Sequence, residues 1–459
     1  MKKLWEREYE FFANAIPKIL EEEEQGWLFS QKIEEMEDIF LKMKWESNVP
    51  GSNAPERVIV AAVQDMANMG YDVSEAVPLL DEGYKYLREN DLVSLNRVTV
   101  RIWNILNNAK KIKGHPYWSY KIYDSFDKYL KDVIKVEPIP LDKESDLFLE
   151  QTYWGWLAQI CAGALGTAVE GYSSEKIEEA FGNVTDYVRK PNTYNDDITY
   201  EIAFLKALER KGKELTSADI AEEWVALVPF GWSAEEWAIK NIKVGIYPPE
   251  SGFLHNPYRE WIGAQMRGAV CGMVAPGDPM EAARLAYMDG VVSHYNNGVL
   301  GEIFNAVLTS LSYVKNDIRE IVHDAINLIP KESEYYSVVK FALDSCLAYD
   351  NWQEAWKVCE EKYRIYNWIH AYPNACAEVI ALWFGNGDFD KTMNIICMVG
   401  YDVDCNAAQI ATPLGIINRK LDPKWTDPIG DRLLTYLRAN KELSIRELAK
   451  YTVKCSQLL

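Results

Sequence analysis

Apolar residues recur along this chain at the three- and four-residue spacing of helices. Leu95, Val98, Ile102, Ile105 and Leu106 form one such stripe, and Ile122, Phe126, Leu130 and Val133 form another. Ile198, Ile202, Leu205 and Leu208 make the apolar face of a helix opening at Asn195-Asp196-Asp197. From Trp154 onward the stripe changes character. Ala158, Ala162 and Gly166 fall four apart, a flat face that admits a second backbone closely, although Gly weakens the helix itself. Punctuation agrees with helices: Ser233-Ala234-Glu235-Glu236 reads as a capping box closed by Gly245, Asp278-Pro279 starts a helix that Gly290 ends, and Ser444 with Glu447 caps a late one. Strand patterns are few and short. The pattern predicts an all-α protein of many packed helices with its working loops at helix ends.

One stretch interrupts the helical rhythm. Val136-Glu137-Pro138-Ile139-Pro140-Leu141-Asp142 carries two prolines at alternate positions, which favours an extended linker. It divides the chain into a helical accessory region, residues 1–140, and a larger domain with a C-terminal helical extension, residues 141–459. Within the first region Glu21 to Glu24 reads as a solvated helix face, and no catalytic constellation stands out.

Composition narrows the function classes. The chain has 459 residues, 48% of them hydrophobic, enough for a large core, and a formal net charge of −20 at pH 7. No Lys/Arg cluster stands out, so nucleic acid is not the expected partner. No apolar run approaches a membrane span and the N-terminal residues show no apolar secretory core, so no membrane association and a cytoplasmic location are expected. Eight cysteines lie between residues 161 and 455 with no C-x-x-C pair, the pattern of reduced, buried thiols.

The candidate chemistry sits in two acidic stretches, Asn195-Asp196-Asp197 and Asp402-Val403-Asp404-Cys405-Asn406. Either alone is explained by helix capping and first-turn acids. Together they place four carboxylates at two helix starts. The second pair follows the apolar run Ile395-Ile396-Cys397-Met398-Val399, which holds it near the core, where unpaired carboxylates are costly. Four acids in one small volume cannot all stay ionised without a cation between them, and a hard divalent ion with oxygen ligands is the simplest partner.

The order of motifs makes the resemblance specific. Gly163-Ala164-Leu165-Gly166 with Glu170, then Asn195-Asp196-Asp197, Gly263-Ala264-Gln265-Met266-Arg267, His294 with Gly298 and Gly301, and finally Asp402-x-Asp404 before a small-residue helix resemble the ADP-ribosylglycohydrolase family, over about residues 147 to 420. The resemblance implies an all-α fold with a two-metal site, usually Mg2+ or Mn2+. Asn195, Asp196, Asp197, Asp402, Asp404 and Cys405 then fall at metal-binding positions. Glu170, Asp197 and Asp404 fall at catalytic ones, with Glu170 near the scissile bond. Gly263, Ala264, Arg267 and His294 fall in segments expected to bind substrate. The implied substrate is an ADP-ribosylated protein or a small ADP-ribosyl metabolite.

Four positions depart from the family pattern. Gly163 stands where an acid is usual, and Asn195, Ile198 and Cys405 stand where threonines are usual. The Asn195 amide oxygen can still bind a cation, whereas a thiol at 405 is a poor ligand for magnesium. Two alternatives to ribosyl hydrolysis of ADP-ribosyl conjugates therefore stay open: an altered member that binds an ADP-ribose-like ligand without turnover, and a nucleoside N-ribohydrolase.

Overall fold

The computed structural model describes residues 2–46, 50–52 and 58–459, with nothing described of the Leu28 side chain. Among the described residues the fold is all-α, as the periodicity predicts. The sheet structure is one two-stranded antiparallel pair, Leu433–Leu434 with Glu442–Leu443. No described helix is long and apolar enough to cross a membrane. The eight cysteines are free and buried.

The small-residue helix runs Asp146–Gly166 and packs along the helix Val403–Asn418. The flat stripe is what allows this. A Cβ added at Gly166 would stand 2.4 Å from Asp404 Cα and 2.5 Å from its backbone nitrogen. Gly166 thus lets the two backbones touch where the second acidic motif begins. Gly166→Ala is expected to cost about 2–3 kcal/mol or more, because backbone rather than a side chain must yield. Urea denaturation measures the loss.

Several sequence signals locate helices correctly. Asp196–Lys211 starts behind Asn195, whose Oδ1 accepts from Ile198 N at 3.3 Å. Pro279–Gly290 starts behind Asp278, and Ile445–Ser456 behind Ser444. Leu95, Val98, Ile102 and Leu106 are buried on the helix Leu92–Asn107. Two expectations are corrected. The stripe from Ile122 to Val133 is helical only over Phe126–Asp132. At Ser233 no capping box forms: the N-cap is Trp232, Ser233 has φ +34°, and the Glu236 carboxylate, which the box needs, turns to Lys240 and Lys44 instead.

Residues 136–142 are extended, with Ile139 N donating to Gly277 O at 2.8 Å. The two sides of this linker nevertheless share one core. A continuous apolar cluster runs from Leu41 and Trp45 through Val98 and Tyr129 to Cys455. Buried hydrogen bonds stitch the seam. Trp261 Nε1 donates to Asp65, Tyr258 OH to Val58 O at 2.5 Å, and Tyr117 OH to Glu260 at 2.8 Å. The residues before Leu41 differ sharply, because most of their large apolar side chains face solvent.

Candidate active site

The two acidic motifs converge. Asp197, Asp402, Asp404 and Cys405 are buried, and Asp196 is half-buried beneath a cleft of about 290 Å³ whose lining includes Asn195, Asp196 and Asp404. Cys405 Sγ donates to Asp197 Oδ1 at 3.4 Å, directly joining the first motif to the second. Ligand atoms of Asp402, Asp404 and Cys405 lie within 4.8 Å of one another. Three carboxylate oxygens here, Asp197 Oδ2, Asp402 Oδ1 and Asp404 Oδ1, are buried with no hydrogen-bond partner.

The electrostatics follow from that crowding. Burial, then the Asp404 charge, pushes Asp196 up to about 7. Asp197 is held well above the ordinary carboxylate range by burial and by Asp196 and Asp404. Asp402 is raised by burial, by Asp404 and by the Glu170 charge. Burial and the surrounding aspartates push the Cys405 thiol far up, so the sulfur keeps its proton and donates it to Asp197. Orphaned, buried oxygens that repel one another fit a hard divalent cation, which would supply the missing positive charge. The sulfur adds a donor rather than a hard ligand. Asn195 gives one lone pair of Oδ1 to the helix start and keeps the other. Its Nδ2 lies 3.4 Å from where a Gly163 Cβ would stand.

Glu170 is half-buried just past the small-residue helix, and its carbonyl accepts from Gly51 N at 2.9 Å. Gly51 O accepts in turn from Arg189 Nη1 at 2.5 Å. The accessory region thereby reaches the cleft, to which it also contributes Ser52. Sequence reasoning missed Ser52, Arg189 and an aromatic wall of Phe230, Trp232 and Tyr436. Phe230 stacks on Tyr436 with ring centroids 4.8 Å apart and packs edge-on to Trp232 at 5.4 Å. No local pattern links residues two hundred positions apart, and single aromatics are usually core.

The segments expected to bind substrate are enclosed rather than on this cleft. Gly263, Ala264, Arg267 and His294 are all buried. Arg267 is 1% exposed, and its guanidinium binds Glu235 at 3.1 Å, Asp289 at 2.5 Å and Ser293 Oγ at 2.9 Å, with Glu302 at 3.8 Å. Its face lies 4.8 Å from the Trp224 ring centroid. Gly263 admits the Glu235 carboxylate, which a Cβ would meet at 2.1 Å. His294 Nδ1 faces Ser293 Oγ at 2.7 Å, and burial beside Arg267 keeps the ring neutral. The segment lies behind the acids: Met266 Sδ is 3.7 Å from Cys405 Sγ, and the Arg267 charge partly offsets the rise at Asp196.

A further buried acid continues this polar layer. Glu378 Oε1 accepts from Gln265 Nε2 at 3.1 Å and Asn305 Nδ2 at 3.2 Å, and burial pushes its carboxyl up to about 8. The folded protein then holds a proton that the unfolded chain releases from about pH 4.5 upward. Stability from this group is present at low pH and declines as pH rises toward 8. Glu378→Gln is expected to flatten that decline, by up to about 5 kcal/mol, in denaturation curves compared at pH values across the window.

With this geometry in place, the class follows from comparison. The family model for ADP-ribosylglycohydrolase matches residues 145–454, so the chain belongs to the ADP-ribosylglycohydrolase family and is of the glycohydrolase type. The match runs through the tail beyond residue 420, which supplies Tyr436 to the cleft wall. Among solved structures, an ADP-ribosylglycohydrolase-related protein complex is similar at 14% identity and a TM-score of 0.48, covering 68% of this chain and 99% of that chain. No curated protein matches the chain.

Proposed function

We propose that this protein is a metal-dependent hydrolase of the ribosyl bond in ADP-ribosylated protein side chains or small ADP-ribosyl conjugates. The observation that carries the reading is the set of three orphaned carboxylate oxygens, from Asp197, Asp402 and Asp404, of which Asp404 lines the cleft together with Asp196. Asp196, Asp197, Asp402 and Asp404 would hold the metal, Mg2+ or Mn2+ and a pair of ions by family resemblance, with Asn195 beside them. Bound there, a divalent ion supplies positive charge for ribose hydroxyls and lowers the pKa of a water. The chain's own groups do the rest. The carboxylates face the positive charge that develops at the anomeric carbon of an oxocarbenium-like transition state. Glu170, whose charge acts on Asp402, would exchange a proton with the leaving group or water. The Phe230, Trp232 and Tyr436 wall screens one side of the cleft from solvent.

A second reading has its own observation. The Cys405 hydrogen bond to Asp197 occupies an oxygen that a cation would otherwise take, which favours a member that binds ligand without turnover. Calorimetric titration of ADP-ribose into metal-loaded and metal-stripped protein, followed by release assays on arginine- and serine-linked ADP-ribose, separates the readings. Metal-dependent binding with release supports the hydrolase. Binding without release from any conjugate supports the second reading. Absence of binding in both forms sinks both, and nucleoside cleavage in that case points to an N-ribohydrolase.

A further inference from the structure

The N-terminal residues expose an apolar surface that the rest of the chain leaves uncovered. In the helix Leu4–Ala13, Trp5 is 63% exposed, Phe11 81% and Phe12 75%, and Ile19 beyond it is 92% exposed. At 3.6 residues per turn, Leu4, Trp5, Tyr9, Phe11 and Phe12 share one helix face, and the exposed carboxylate of Glu8 lies within it. A monomer gains nothing from holding so many large apolar groups in water, and contiguous apolar faces of this kind mark interaction surfaces.

The same chain offers a fitting receptor. A groove of about 560 Å³ opens between the helices Leu28–Met43 and Ser233–Lys243. Its walls are largely apolar, including Phe40, Met43, Phe230, Trp232 and Ile239, and Lys44, Lys240 and Lys243 stand among them. Lys44 and Lys240 both turn to Glu236, at 3.7 and 2.5 Å, while Lys243 makes no ion pair among the described residues. Three lysines against Glu37 and Glu236 leave the groove a single net positive charge in a chain of net charge −20. Residues 2–27 carry four basic and seven acidic side chains, so the segment that would approach it is acidic. That balance also argues against a lipid surface, for which an amphipathic helix needs a basic polar face.

We propose that the protein is an arm-exchanged homodimer, in which the helix Leu4–Ala13 of each copy lies in the Phe40–Ile239 groove of the other, with Glu8 against Lys243. The area suffices. With aromatic side chains of roughly 150–250 Å² each, one arm face brings on the order of 500 Å² to the contact. Counted on arm and groove in both copies, this reaches about 2,000 Å², within the range of stable interfaces. The groove shares Phe230 and Trp232 with the acidic cleft, so each arm would border the partner's site. The proposal stands without the metal assignment.

Sedimentation velocity on the full chain at tens of micromolar tests it. The wild type is expected to sediment as a dimer, and Trp5→Glu/Phe12→Glu as a folded monomer with the helix content of the wild type, because neither side chain belongs to the core. Glu8→Lys and Lys243→Glu are each expected to raise the dissociation constant about tenfold, and the two together in one chain to restore it. A monomeric wild type, whether its arm folds back or binds vesicles, overturns the proposal. So does a dimer that survives the double arm substitution, or charge reversals that do not rescue one another.

Discussion

Asp404→Asn should abolish metal-dependent turnover and weaken metal uptake by at least about 100-fold, while making the metal-free protein more stable. The two effects have one cause. Asp404 raises the proton affinity of Asp196 and Asp402, and its Oδ1 is buried without a partner. Removing one charge relieves its neighbours when no cation is present, a gain of about 1–2 kcal/mol. With metal, the same change removes a proposed ligand, and the order of stability is expected to reverse because the wild type gains more binding free energy. Chelator-treated and Mn2+-loaded samples of both proteins, compared by thermal unfolding and metal content, read the crossover. Full turnover and full metal content in the variant would refute the site assignment.

The second large effect is expected at Arg267. Arg267→Met should destabilise the fold by about 3–5 kcal/mol, because Glu235, Asp289 and Glu302 lose their shared cation in a site closed to water. Arg267→Lys should recover only part of this, since an ammonium cannot reproduce the forked contacts to Glu235, Asp289 and Ser293. Chemical denaturation measures both. A residue that instead contacted substrate would raise KM on Lys substitution with stability unchanged, so the pair of measurements separates the packing role from the binding role implied by family resemblance.

These two sites show what a sequence reveals. The acids 196–197 and 402–404 were legible because helix starts and small-residue spacing are local, and Asn195 and Gly166 do in the fold what their spacing implies, although Asp402 makes no side-chain cap. Arg267 was visible only as part of a motif. That it closes onto Glu235, 32 positions earlier, and Asp289, 22 later, leaves no local trace. The capping signal at Ser233 failed in a similar way, because Glu236 pairs with Lys240 and the distant Lys44 rather than with a backbone nitrogen. Tyr436, Trp232 and Ser52 reach the cleft from three distant segments, and no periodicity joins them. The prolines at 138 and 140 mark where the backbone extends, which is a property of the chain and not of the core around it.

That shared core bears on how the family domain can be handled. A shortened chain beginning near Asp142 would keep all the matched residues, yet it would bare Tyr258 and Trp261 and leave Glu260 without the Tyr117 hydroxyl. It would also strip Gly51 and Ser52 from beside Glu170 and the cleft. Residues 58–133 share that core with the matched domain, so the smallest unit expected to express, permute or graft well begins ahead of Trp45. Homology sets where kinship is recognisable, and here the packed core extends beyond it.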